Sequence, residues 1–114
     1  MFFCIYIRMP VQEVTSAEAL ARIITTKPIV LVDFYAKWCK PCMTGGPVFE
    51  SVSNQLEYRH VKFVKIDIDN LDDTLKMEYG INAIPLLKLY KNNTIIDYKQ
   101  GLNKTIIENI LKRS

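Results

Sequence analysis

At 114 residues the chain has the length of a single domain, able to bury a core but too short to hold a second domain beside it. Hydrophobic residues make up 49% and charged residues 24%, the balance of a soluble globular protein, which argues against both a disordered chain and a membrane-spanning one. The net charge of +3 comes with no run of Lys or Arg, so the stripe needed to read nucleic acid or lipid headgroups is missing and the charge reads as a solvated surface.

The first ten residues read as an N-terminal extension and residues 11–114 as the domain. "MFFCIYIRM" is apolar like a signal peptide but has no basic residue ahead of its apolar block, and the run over 2–7 is shorter than a signal core or a membrane span. A flexible or edge-packed extension is expected, with a targeting remnant or a contact surface as alternatives; Met9 is an alternative start. Three cysteines are too few, and odd in number, for a disulfide-dense secreted scaffold. A cytoplasmic, reducing compartment is therefore expected. An organelle or the secretory pathway is the alternative, through the extension and the sequons "NNT" at Asn92 and "NKT" at Asn103.

Along the domain, short apolar runs alternate with helical patterns. A short strand over 11–14 precedes "TSAE", where Thr15 stands three residues before Glu18 as a capping box for a helix carrying Ala17, Leu20, Ala21, Ile23 and Ile24. Lys27 and Pro28 end it. "IVLVDFY" over 29–35 is a near-continuous β-branched and aromatic run, suited to a central strand covered on both faces. It leads into "WCKPC". From Cys39 a helix is expected with Pro41 in its first turn, interrupted and kinked at Gly45, Gly46 and Pro47 before resuming.

A strand follows over 61–67, then a short helix over 71–79 capped by Asn70 and closed by Gly80. "LLKLY" and "TIIDY" flank Lys91, Asn92 and Asn93, a hairpin whose asparagines tolerate positive φ. Asn103 caps a last helix over 104–113, with Ile106, Ile107, Ile110 and Leu111 on one face. The order β-α-β-α-β-α-β-β-α predicts an α/β fold with a mixed central sheet and helices on both faces.

The C-x-x-C spacing of Cys39 and Cys42 fits a structural disulfide, half a metal site or a redox centre. A cysteine where a buried strand gives way to a helix meets unpaired backbone N–H groups and the positive end of the helix dipole, which favour thiolate. By position Cys39 is then the nucleophile with a lowered pKa, and Cys42, one turn further in and more buried, the resolving thiol. A zinc site would need two more ligands, and only Cys4 and His60 remain; no metal is expected. Cys4 reads as inert, or, if partly exposed, open to glutathionylation or pairing between chains. An Asp inside an apolar strand, Asp33, is expected to be desolvated with a raised pKa, poised as a base.

From about Val11 to the C-terminus the chain resembles the thioredoxin family: "VDFYAKWCKPC", Pro47 five residues after the second cysteine, "VKIDID", "AIPLLKLYKN" and "GLNK" occur in the family's order and spacing. The resemblance implies a thioredoxin fold and a thiol-disulfide oxidoreductase that reduces protein disulfides through Cys39 and Cys42 with no cofactor beyond that redox-active disulfide. It assigns Asp33 to proton transfer with Cys42, places Lys65 near Asp33, makes Pro85 after Ile84 the cis-proline facing the disulfide, and forms the substrate rim from Trp38, Ile84 and the Gly101 segment. The expected partners are disulfide-bearing proteins and a thioredoxin reductase or equivalent donor drawing on NADPH, with no nucleic acid, no membrane and a monomeric chain.

The chain also departs from the family's commonest motif. Lys40 stands in place of Gly and, with Lys37, adds positive charge that modestly lowers the Cys39 pKa further and favours acidic partner surfaces. Pro41 in place of a His fits the reducing members. Met43 replaces the usual basic residue, and Tyr35 stands where many members have a second Trp. The rival readings are an organelle or secretory-pathway oxidoreductase and a binding subunit whose thiols are incidental; binding alone needs neither the cysteines nor Asp33.

Overall fold

The computed structural model describes residues 10–114; residues 1–9 of the extension, Cys4 among them, lie outside the described residues. Five strands, β1 (Val11–Val14), β2 (Ile29–Tyr35), β3 (Lys62–Asp67), β4 (Leu86–Lys91) and β5 (Thr94–Gln100), form one sheet in the order β1-β3-β2-β4-β5. Strand β2 pairs parallel with β3 and antiparallel with β4, so it lies at the centre. Its near-continuous apolar run is explained by that place: every residue from Val30 to Tyr35 is buried.

Four helices, α1 (Ala17–Thr26), α2 (Lys40–Ser53), α3 (Asp73–Glu78) and α4 (Lys104–Leu111), cover the sheet. On one face Val30, Val32, Phe34, Val64 and Ile66 pack with Leu20 and Ile24 of α1 and, at the margin, Leu75 of α3. On the other, Leu31, Phe63, Leu87 and Leu89 meet Phe49 and Val52 of α2 and Ile107 and Ile110 of α4, with the rings of Phe49 and Phe63 edge-on at 5.4 Å. Each fully buried aliphatic or aromatic side chain contributes about 1.5–3 kcal/mol to this assembly. The period of two along the strands therefore separates two apolar layers.

Several local expectations need correction. The cap of α1 is Ser16, not Thr15: Ser16 is extended and its Oγ accepts from Ala19 N at 3.1 Å. Helix α1 starts one residue later than the Thr15-Glu18 spacing requires. Asn70 does not cap α3 either. It ends a 3₁₀ turn (Ile68–Asn70) capped by the Asp67 side chain, and Asp72 caps α3 by accepting from Leu75 N at 2.8 Å. Leu71 sets this division, because it is extended and buried in the core between the two turns.

Helix α2 runs unbroken through Gly45, Gly46 and Pro47. Pro47 withholds one N–H from the ladder, a loss the helix tolerates with α4 and the sheet packed against it. The turn between β4 and β5 has Asn92 at φ 50° and Asn93 at φ 67°, the left-handed geometry of a tight hairpin. Asn103 caps α4 through its side chain, accepting from Ile106 N at 2.9 Å.

Candidate active site

The site is assembled where β2 ends and α2 begins. Cys39 is the cap residue of α2: it has extended backbone angles, and its Sγ accepts from Cys42 N at 3.3 Å. Lys40 and Pro41 are the first two helical residues, both exposed, and Pro41 fits there because its N–H would have no helical partner. Cys39 and Cys42 are joined as a disulfide with their Cα atoms 5.3 Å apart. The two are unequal: Cys39 is 7% exposed and Cys42 only 1%.

Behind the pair lies Asp33, 2% exposed in the middle of β2. Burial pushes its pKa up from 3.8 to about 7, and the nearby Lys65 ammonium draws it down only in part. Its Oδ1 has no hydrogen-bond partner among the described residues. Lys65 is in direct register with Asp33 on β3, and its Nζ lies 5.5 Å from the centroid of the Tyr35 ring. Lys65 and Cys42 line one cavity of about 620 Å³ along α2, together with Met43, Gly46, Pro47 and Glu50. That cavity is on the α2 side of the sheet, the side to which Asp33 and Lys65 belong by strand alternation.

The Ile84-Pro85 peptide bond is cis, and Pro85 is buried with its carbonyl accepting from Gly101 N at 2.9 Å. Gly101 has φ 105°, a conformation open to glycine. Trp38, 69% exposed, and Ile84 line a cavity of about 300 Å³ with Ile68, Lys76, Ile81 and Ala83. The Trp38 indole N–H reaches towards Asp69 Oδ1 at 3.5 Å. Gly101 does not line that cavity; it joins the rim only through its bond to Pro85. His60 is exposed, beside Ser114 Oγ at 3.1 Å, and lines a different cavity near the start of β2 and β3.

Sequence reasoning overlooked Glu13, whose Oε2 accepts a hydrogen bond from the Tyr35 hydroxyl. It also overlooked Glu50 on the cavity wall; Met43, marked in the sequence as replacing a basic residue, is an exposed apolar side chain beside Cys42 on that wall. The alternation of "VQEV" would have put Val11 and Glu13 on one face, but pairing Glu13 with Lys65 requires knowing that β1 lies against β3.

A buried strand delivering a C-x-x-C disulfide to a helix N-terminus, with a desolvated carboxylate behind it and a cis-proline in the next strand connection, defines a dithiol-disulfide oxidoreductase. The thioredoxin family model matches residues 10–113. The chain is 31% identical over 104 residues to the thioredoxin of Coprinus comatus, covering 91% of this chain and 97% of that one. It is 35% identical over 102 residues to thioredoxin-1 of Schizosaccharomyces pombe, covering 90% and 96%. The solution structure of oxidised thioredoxin from Plasmodium falciparum superposes with a TM-score of 0.81 at 31% identity, covering 90% of this chain and 96% of that one. The chain belongs to the thioredoxin family, and it is a thiol-disulfide oxidoreductase with Cys39 and Cys42 as its redox-active pair.

Proposed function

We propose that the chain carries electrons to disulfide-bearing proteins, with Cys39 as the attacking thiolate, Cys42 as the resolving thiol and Asp33 as the group that takes and returns the Cys42 proton. The observation that carries this reading is the asymmetry of the pair: Cys39 caps α2 and is the more exposed, while Cys42 is buried on the side of the sheet that holds Asp33.

In the reduced chain, the Cys39 thiolate is stabilised by the Cys42 N–H and the helix N-terminus. It attacks one sulfur of a substrate disulfide. The Cys39–substrate bond forms, the substrate S–S bond breaks, and the leaving thiolate takes a proton. Asp33, with a pKa near 7, then accepts the Cys42 proton, and the Cys42 thiolate attacks Cys39 Sγ. The internal disulfide forms and the second substrate thiolate departs, taking up the proton that Asp33 received from Cys42; two electrons have then passed to the substrate with that proton and the one the first leaving thiolate took from water. A reductase drawing on NADPH or a similar donor returns the pair to the dithiol.

Trp38 and Ile84 offer an apolar rim to the substrate segment, and Pro85 presents backbone groups to an extended chain. The exposed Lys37, Lys40 and Pro41 and the Gly101 segment complete the surroundings, the lysines favouring acidic partners. A cytoplasmic location is the reading we favour from the small cysteine count, two of the three being the redox pair.

The test is insulin reduction by wild type, Cys39→Ser and Cys42→Ser with NADPH and an efficient thioredoxin reductase. Wild type turns over, Cys39→Ser is inactive, and Cys42→Ser accumulates mixed disulfides whose mass spectrometry identifies clients. Absence of wild-type turnover overturns the reading. A reduction potential well above the cytosolic glutathione poise would place the chain in an oxidising pathway, since about 30 mV shifts this equilibrium by about 1.4 kcal/mol.

A further inference from the structure

Glu13, Lys65 and Asp33 stand in one row across β1, β3 and β2, because both carboxylates are in direct register with Lys65. Two residues beyond Asp33 and on the same face, Tyr35 reaches from the central strand over β3 to the sheet edge. Its hydroxyl donates to Glu13 Oε2, and the Lys65 ammonium lies 5.5 Å from the centroid of its ring. Lys65 thus has an acid on each side. Yet among the described residues the ion pair within 4.0 Å is Arg113 with Asp97, so Lys65 is clasped by neither of its row neighbours.

The two carboxylates are unequal competitors. Glu13 is exposed at the sheet edge, whereas Asp33 is buried and ionises against desolvation. Left unengaged, Glu13 would draw the flexible Lys65 side chain to the edge. The Tyr35 hydroxyl occupies Glu13 instead, and burial together with the neighbouring carboxylates keeps that phenol protonated, a donor throughout the working pH range. We propose that Tyr35 and Glu13 are positioning residues for proton transfer at Asp33: Tyr35 occupies the Glu13 carboxylate and seats Lys65 on its ring, so that the ammonium charge acts on Asp33.

This rests on the reading of Asp33 as the proton-transfer group. The charged and titratable groups on Asp33's side include Lys65 and Asp67 from β3, Glu13 from β1, Tyr35 from β2, and Cys42 and Glu50 from α2; on the other flank β4 places Leu87 opposite Asp33, and beyond it β5 places the exposed Lys99, with Asp97 held by Arg113. Asp67 is engaged locally, its Oδ1 accepting from Asp69 N at 2.9 Å. Of these groups, only Glu13 and Asp33 flank Lys65 within the row.

The sign of each perturbation follows. Tyr35→Phe keeps the ring, frees Glu13 and lets Lys65 move to the edge, so the Asp33 midpoint rises. Glu13→Gln removes the competing charge, so the midpoint stays or falls. In the double variant no carboxylate remains to draw Lys65 away, and the effect of Tyr35→Phe disappears.

The experiment is carboxyl carbon NMR of the oxidised chain from pH 4 to 10, following Asp33 in wild type, Tyr35→Phe, Glu13→Gln and the double variant. Tyr35→Phe is expected to raise the midpoint by about half to one pH unit, and the same substitution in the Glu13→Gln background to move it by less than about 0.2. No rise with Tyr35→Phe, or an equal rise in both backgrounds, overturns the proposal. Glu13→Gln alters only an exposed edge residue and so reports on the link with the core intact; a midpoint raised by this substitution also overturns it. The pH profile of insulin reduction should shift with the NMR midpoint. If Asp33→Asn leaves that profile unchanged, the proton-transfer reading fails, while the NMR comparison still decides the positioning of Lys65.

Discussion

Replacing Asp33 with Asn should make the protein more stable at neutral pH and less so, relative to wild type, in acid. Asp33 has a folded-state pKa of about 7 against 3.8 when unfolded, a rise of about three units caused first by burial. Between these values the folded chain binds a proton that the unfolded chain has released, so wild-type stability falls as pH rises through that window. At about 1.4 kcal/mol per unit the loss amounts to about 4 kcal/mol, complete above pH 7 to 8 and absent below pH 4. Asn carries no such dependence. Its buried amide can leave donors unpaired at a cost of about 1–3 kcal/mol, but that cost is the same at every pH. The quantity to measure is therefore the difference in unfolding free energy between variant and wild type, from denaturant titrations of the oxidised proteins at closely spaced pH values. The other titrating groups cancel in it. It should climb by about 4 kcal/mol from pH 4 to 8 and then level off. A difference that stays flat would show that Asp33 titrates near its ordinary value, and the base assigned to Cys42 would go with it.

Adjacent glycines of α2 should respond to alanine with opposite signs. A Cβ at Gly45 would run into Leu102, meeting its carbonyl oxygen first and then Cγ at 2.6 Å and Cβ at 2.7 Å, so Gly45→Ala should destabilise by about 1–3 kcal/mol in denaturant titration. A Cβ at Gly46 meets nothing within 4 Å, and Gly46→Ala should stabilise by up to about 1 kcal/mol in the same assay. Phe49→Ala should cost about 3–5 kcal/mol by the same measurement, because it removes a fully buried ring that stacks edge-on with Phe63 between α2 and the sheet. Trp38→Ala should leave stability within about 0.5 kcal/mol, since the side chain is 69% exposed, yet raise KM for a protein disulfide about tenfold by removing an aromatic anchor from the rim.

Much of the site was readable because it depends on short-range pattern. The near-continuous apolar run over 29–35 required a strand buried on both faces, and the Asp within it had to be desolvated; Asp33 is buried and its pKa is raised. The asparagine pair at 92 and 93 carried its own turn geometry. Errors came where neighbouring residues offered equivalent signals. Thr15 and Ser16 are both good caps, as are Asn70 and Asp72, and the choice falls to whichever residue tertiary packing places at the extended position. Leu71 in the core makes that choice at the start of α3. The expected break in α2 failed for a related reason: Gly45 serves the approach of Leu102, a residue far along the chain, and packing on both sides keeps the helix continuous. The Glu13-Tyr35 bond was beyond sequence pattern, since it follows from β1 lying against β3.

The disulfide links residues only three apart in sequence. A ring this small restricts the unfolded chain little: on the chain-entropy relation a loop of about four residues is worth about 2 kcal/mol, well below what a bridge between distant segments supplies. The two apolar layers, by contrast, draw on all five strands and the helices on both faces. Cohesion is thus carried by parts of the molecule that do not take part in electron exchange. Opening the bridge changes the charge and reach of two sulfur atoms at the margin of those layers, and most of the buried surface lies outside the exchange. The redox state is thus written in the few atoms around Cys39 and Cys42.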